Sequence, residues 1–307
     1  MLARRAFLAF VATLTLTALA SAADKPKRLL LVTHSGGFIH DSVYHAEQVL
    51  KEIGPKNGFE VTCWRFTGDP DKVMKYSPKK GEPPVEKPWL AKYSDEFRAR
   101  TGATVEKENT GRINKETLKN FDVVLFFTTG SKRNNQSPLT DAELADLIAW
   151  VKAGGAFAGT HCATDTLYDT PYGELVGAYF DGHPWHQKIK LKVEDAGHPA
   201  AAGFKNGDEI TDEIYQFSAT PYSRSKLRIL LSVDNASIDV TKKGVNRKDR
   251  DFAVAWVRDF GQGKAFYTSL GHRKDVWSDP RFQAHLLGGL KWVTNQAPGE
   301  ATPSQAK

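Results

Sequence analysis

The chain has 307 residues and a formal net charge of +6, from 42 lysines and arginines against 36 acidic residues. With 40% hydrophobic and 25% charged residues it suits a globular chain with one large domain, or a domain carrying a sizeable insertion. The basic excess is mild and mixed along the chain, which excludes the concentrated patch of a nucleic-acid binder, and two cysteines do not make a disulfide framework.

Residues 1–22 read as a cleaved leader. Arg4 and Arg5 form a basic start, Ala6 to Ala18 is apolar but short for a bilayer span, and Ala20-Ser21-Ala22 is a small-x-small peptidase pattern. Arg4-Arg5-Ala6-Phe7-Leu8 also resembles a twin-arginine signal, although the usual Ser or Thr before the arginines is missing. Both export routes therefore stay open. The expectation is a periplasmic or secreted protein without a stable membrane anchor, whose residues 23–307 form a single domain.

Arg28 to Thr33 is a compact apolar run without alternation, the form of a strand buried on both faces. The glycine loop His34-Ser35-Gly36-Gly37-Phe38 follows. Asp41 and Ser42 then offer caps for a helix with Val43, Ala46, Val49, Leu50 and Ile53 at helical spacing. Phe59 to Trp64 reads as a second strand. Residues 69–112 break the rhythm with Pro70, Pro78, Pro83, Pro84 and Pro88 and many lysines, and predict a surface insertion. A passive excursion, a lid and an oligomer contact are all open for it.

Phe121 to Phe127 is the third strand, and Thr140-Asp141-Ala142-Glu143 has the form of a capping box opening a helix through Val151. Gly155 to Gly159 is the fourth strand, so strands and helices alternate as in a parallel sheet covered on both faces. It runs into Thr160-His161-Cys162, a strand–turn–helix elbow of the type that carries a nucleophile at its centre in hydrolases. Here the central residue is His161. A helix is expected over residues 172–180, strands over Lys188–Val193, Arg228–Val233, Phe252–Val257 and Gly263–Leu270, and a closing helix over Pro280–Thr294. Lys242 to Arg250 reads as a solvated hairpin, and the tail after Gln296 as frayed.

Taken together, several motifs resemble the ThuA-like family, named for trehalose utilisation, within the class I glutamine amidotransferase-like superfamily. They are the glycine loop with His34 and His40, the elbow Gly159-Thr160-His161, Asp165-Thr166-Leu167-Tyr168, Tyr172 to Gly177, and Phe180 to Trp185. Asp212-Glu213-Ile214-Tyr215 and Gly271 to Trp277 complete the set. The resemblance covers nearly all of residues 23–307. It implies a flavodoxin-like three-layer α/β sandwich with a mostly parallel sheet, and a role near disaccharide or keto-sugar metabolism. Amidotransferases of the superfamily use a Cys at the elbow centre and a His after a later strand. His272 takes the second place, but His161 stands in the first, so glutamine hydrolysis by the usual route is not expected.

Ligands of an open α/β sheet bind beyond the carboxyl ends of the strands. His34, His161 and His272 follow three strands and should rim one crevice, with His183 and His186 on a loop beside it. Neutral imidazoles with a carboxylate suit zinc or a similar divalent ion, and His34, His161 and His183 are the expected ligands. Alternatively His161 and His272, with Glu213 and Asp165, act as acid and base without metal. Tyr168, Trp185, Tyr215 and Trp277 are placed to stack on a sugar, and Arg273 to bind its hydroxyls. No nucleotide cofactor is expected, since neither Gly-x-Gly-x-x-Gly nor a Walker lysine is present. Cys162 reads as a small packing residue. The leading expectation is an exported enzyme with a small carbohydrate ligand. A binding protein without turnover, and more remotely a Cys162/His272 amidase, are the alternatives; self-association is left open.

Overall fold

The structure, a computed structural model, describes residues 25–130 and 136–304. The leader expected at residues 1–22 lies outside the described residues. No helix among those described is long and apolar enough to cross a membrane.

The chain begins with β1 (Lys27–Val32), in which Leu29 to Val32 are all buried, as an apolar run with helices on both sides requires. The next helix, α1 (Val43–Lys56), buries Val43, Ala46, Val49 and Leu50 along one face. Ser42 stands at its start but does not cap it through the side chain, because its own backbone is already helical and its hydroxyl donates to Gly271 O at 3.3 Å. Then follow β2 (Phe59–Trp64), the hairpin β3 (Val73–Tyr76) and β4 (Val85–Pro88), and α2 (Trp89–Thr101). After β5 (Val123–Phe126) comes α3 (Asp141–Lys152), whose Thr140–Glu143 capping box is formed as expected. The elbow strand is β6 (Ala156–Thr160), and α4 (Tyr172–Val176) is shorter than the sequence suggested, stopping at Gly177 in the left-handed region. The second half holds β7 (Trp185–Val193), β8 (Glu209–Ile214), β9 (Arg228–Val233), β10 (Ala253–Phe260), β11 (Gly263–Thr268), α5 (Lys274–Ser278) and α6 (Pro280–Val293).

Nine strands make one mixed sheet in the order β2-β1-β5-β6-β11-β10-β9-β7-β8. The first five are mutually parallel, and the last four continue the sheet with antiparallel pairings. Alternate side chains of each parallel strand enter different cores. Leu29 and Leu31 join Val43, Leu50, Leu286 and Leu290 of α1 and α6, whereas Leu30 and Val32 join Leu144, Leu147 and Leu175 of α3 and α4. This is the three-layer flavodoxin-like sandwich, with a smaller antiparallel wing on one side.

The insertion is not a passive excursion. Its hairpin lies at the surface with Val73 and Val85 exposed, but α2 buries Trp89, Tyr93 and Phe97, spaced four residues apart. Behind it, Arg65 at the end of β2 bonds Glu47 of α1 at 2.8 Å and also binds Thr104 O and Asn109 Oδ1. Glu47 is fully buried and takes a further bond from Thr33, so this pair ties the returning insertion to the sheet. The tail, for which fraying is expected after Gln296, lies against the body of the fold as far as Ser304. Gly299 O accepts from Trp292 Nε1, and Ser304 N donates to Leu227 O.

Candidate functional site

The elbow after β6 turns sharply into a 3-10 turn over His161–Thr164. His161 there has φ 45°, a left-handed conformation that an L residue with a bulky side chain adopts at a cost of about 1–3 kcal/mol. The surroundings hold it in place. Tyr267 donates to His161 O, and Thr160 Oγ1 donates to Leu270 O at 2.9 Å. The His161 ring is fully buried and its Nδ1 donates to Ser269 O at 2.8 Å, which turns Nε2 toward the crevice.

Three other elements bring groups to that nitrogen. Glu213 of β8 places Oε2 at 3.4 Å, and His272, following β11, places Nδ1 at 3.2 Å. The His272 Nδ1 to Glu213 Oε2 distance is 3.3 Å. His40, from the loop after β1, packs edge-on against both rings, with centroids 4.9 Å from His161 and 5.1 Å from His272. His40, His161, Glu213 and His272 each offer a donor atom, all within 4.8 Å of one another.

His40 Nδ1 is buried without a hydrogen-bond partner. Burial and the neighbouring imidazoles of His161 and His272 push the His40 pKa well below its ordinary value. Burial alone would raise Glu213, but hydrogen bonds from His161 and His272 outweigh it and hold the carboxyl far below the usual range. Burial likewise would lower His272, and its bond to Glu213 reverses the direction.

A ring of supporting groups surrounds the four. Tyr215 Oη lies 3.0 Å from His161 Nε2, and His183 Nδ1, half exposed, lies 3.3 Å from Glu213 Oε1. Asp165 is raised by burial and accepts a 2.7 Å bond from Tyr168. Asp212 is fully buried and accepts from the amides of Gly271 and Arg273 at 2.7 and 3.3 Å, fixing the turn that carries His272. His186 pairs with Glu213 across β7 and β8 and sits 5.1 Å from the His272 ring.

Of the residues expected from sequence, His161, His272 and Glu213 therefore meet directly, with Tyr215, Asp165, Tyr168 and His183 around them. Arg273 lies beside the turn, half-buried and paired with Asp275 at 2.8 Å. His34 does not join the cluster. Its Nδ1 is 2.9 Å from Thr67 Oγ1, and Phe66, Trp89 and Tyr93 enclose the ring, so that burial lowers its pKa to about 3. Nor do Trp185 and Trp277 offer faces to a sugar. Both are fully buried, and their indole N–H groups donate to Asp239 O and Gly271 O. His40 and Asp212 are the residues that strand-end reasoning missed. Both stood within motifs already singled out, but nothing in the spacing showed that the loop would carry His40, six residues on, to the crevice.

Cys162 and Cys63 are free and buried, with no bridge between them. Burial pushes the Cys162 thiol far above its ordinary value, which removes the thiolate an amidase would need. Iodoacetamide is expected to leave both cysteines of the native protein unmodified, with labelling only on unfolding, as mass spectrometry would read. Rapid labelling of native Cys162 with loss of function would restore thiol chemistry to this site.

A surface cleft of about 580 Å³ lies on the antiparallel wing near Tyr222, Arg224 and Arg247, away from the histidines. Its central Arg224 is spent on Glu194 and Asp251, each at 2.8 Å, so the cleft is internally neutralised. The histidine cluster carries the stronger chemical signal.

Comparison with known proteins agrees with this architecture. The model of the ThuA family, described as trehalose utilisation, matches residues 28–293. A ThuA-like protein from Bacteroides uniformis ATCC 8492 superposes with a TM-score of 0.60 at 19% identity, over 90% of this chain and 95% of that one. Another, from Parabacteroides merdae ATCC 43184, gives 0.56 at 18% identity over 91% and 95%. At such identities the likeness speaks for the fold alone. No curated protein matches the chain.

Proposed function

The chain belongs to the ThuA family, and on that premise we propose that it is an exported, metal-assisted enzyme acting on a disaccharide, glycoside or keto-sugar at the His40–His161–Glu213–His272 cluster. The observation that carries this reading is the donor set itself. Zinc held by nitrogen and oxygen at about 2.0–2.1 Å in a tetrahedron needs donors about 3.3–3.4 Å apart. The His161, Glu213 and His272 donors form a triangle with sides of 3.2, 3.3 and 3.4 Å. Three imidazoles and one carboxylate suit zinc or a neighbouring first-row divalent ion. The Nδ1 bond from His161 to Ser269 O is the outer contact that fixes a ligand's tautomer.

Such an ion would polarise a sugar hydroxyl or carbonyl oxygen and lower the pKa of a bound water. The chain's own groups are suited to handle the protons. Asp165 keeps its proton to higher pH than a solvated aspartate and is oriented by Tyr168. His183 stands at the exposed side of Glu213, between the carboxylate and solvent. Location outside the cytoplasm rests on the leader pattern of residues 1–22.

The test is elemental analysis of the purified protein together with turnover of disaccharides and their keto derivatives, before and after chelation. The expected result is about one divalent ion per chain and activity that is lost on chelation and recovered with metal. A metal-free protein with full activity would overturn the metal reading. Sugar binding without any product would favour a binding protein.

A further inference from the structure

The loop after β1 brings more than a histidine to the site. Phe38 precedes His40 by two residues and leaves 55% of its surface exposed, the other exposed large hydrophobics among the described residues being Val73 and Val85 on the β3–β4 hairpin. A phenylalanine left in water forgoes about 1.5–3 kcal/mol of burial, so its exposure does nothing for the fold. Its ring lies edge-on to His40 at 4.9 Å, and His40 in turn touches His161 and His272.

The ring is held from several directions. The Arg100 guanidinium of α2 sits 4.6 Å from its centroid, and Arg100 Nε donates to Ile39 O at 3.1 Å. Thr129, beyond β5, donates to Phe38 O at 3.0 Å and accepts from Gly37 N at 3.2 Å, while Thr129 O accepts from Gly36 N at 2.9 Å. Gly36 is required here, because a Cβ would lie 1.8 Å from Gln136 O. An exposed aromatic normally rotates freely. This one is fixed by the sheet on one side and by the insertion on the other, so little rotamer freedom remains to be lost when a ligand packs on it.

We propose that Phe38 is the sugar-binding platform of this site, packing against the apolar C–H face of a pyranose ring whose reactive oxygen lies toward the histidine cluster, with Arg100 as the residue that positions it. The assignment rests on the carbohydrate reading above and names the group that supplies its affinity. It also gives the insertion a purpose, since α2 provides the clamp.

The experiment uses the zinc-loaded mature chain, with trehalose and methyl α-glucoside as calorimetric probes and zinc affinity measured in parallel. Phe38→Ala is expected to weaken sugar binding about tenfold, in keeping with the contribution of an aromatic contact, and Phe38→Tyr to restore it, with zinc affinity unchanged in both. Arg100→Ala is expected to weaken sugar binding to a smaller extent, again without touching zinc. Sugar affinity of Phe38→Ala within twofold of wild type would overturn the platform while leaving the metal reading intact. A wild-type protein that binds zinc but neither sugar would overturn platform and carbohydrate reading together. Loss of zinc in Phe38→Ala would show that the ring supports His40 and would overturn the platform.

Discussion

Replacing His161 with alanine is expected to lower zinc affinity about 100-fold or more and to abolish turnover. Loss of an outer contact to a metal ligand already costs about 10–100-fold, so loss of the ligand should cost at least the upper end of that range. His161 is the residue with most at stake, because its Nε2 is the point on which Glu213, His272 and Tyr215 all converge. Glu213→Gln should follow the same direction, since it removes the only negative charge among the four donors. Tyr215→Phe is the informative contrast. It deletes the hydroxyl at 3.0 Å but no donor of the cluster, so zinc affinity should change far less than in the other two. Titration with a competing chelator would measure all three, with thermal unfolding as a control that each variant is folded. Undiminished zinc affinity in His161→Ala would remove the cluster as a metal centre, and the histidines would then have to act as acid and base alone.

The parallel half of the sheet was legible because burial on both faces leaves a simple trace, an uninterrupted apolar run. The runs Arg28–Thr33 and Gly155–Gly159 became β1 and β6, whose buried residues lie between the two helical layers. What the sequence concealed was the strand that matters most to the site. The β8 segment Glu-Ile-Thr-Asp-Glu-Ile carries three carboxylates and lacks the apolar density of a buried strand. Yet Asp212 is fully buried and Glu213 nearly so, because the turn at Gly271 and the histidines supply their partners. A charged side chain placed inward for chemistry looks, in a sequence, like one placed outward for solubility.

The same logic accounts for the two histidines of the first loop. Strand-end reasoning selected His34, the residue immediately after the apolar run. In the folded chain that position is covered by Trp89 and Tyr93 of α2, which a proline-rich, lysine-rich context had hidden. Their spacing with Phe97 was the available signal, a stripe of three aromatics on one helical face. Once α2 seals His34 into the core, the loop must continue to His40 before a side chain can reach the crevice. The insertion thus decides which histidine serves the site.

Trp277→Ala is expected to destabilise the protein by about 3–5 kcal/mol, the usual cost of emptying a buried aromatic site. Its indole is fully buried, stacks on Phe127 at 5.6 Å with planes 19° apart, and meets Phe282 edge-on at 5.1 Å. The N–H donates to Gly271 O at 2.9 Å, the same carbonyl that accepts from Ser42. Gly271 has φ 117°, and its amide is held by Asp212, so the indole is a wedge under the turn that aims His272. Trp277→Phe keeps most of the volume and forfeits one hydrogen bond, which should cost about 0.5–1.5 kcal/mol if Ser42 still satisfies the carbonyl. Urea unfolding separates the two variants, and the sugar KM separates two roles for the residue. A packing role predicts that the phenylalanine variant keeps its KM while kcat falls modestly as His272 loosens. A stacking role predicts the reverse, an alanine variant of near-normal stability with a greatly raised KM. The burial of the ring, and the use of its only polar atom by the backbone, favour the first outcome.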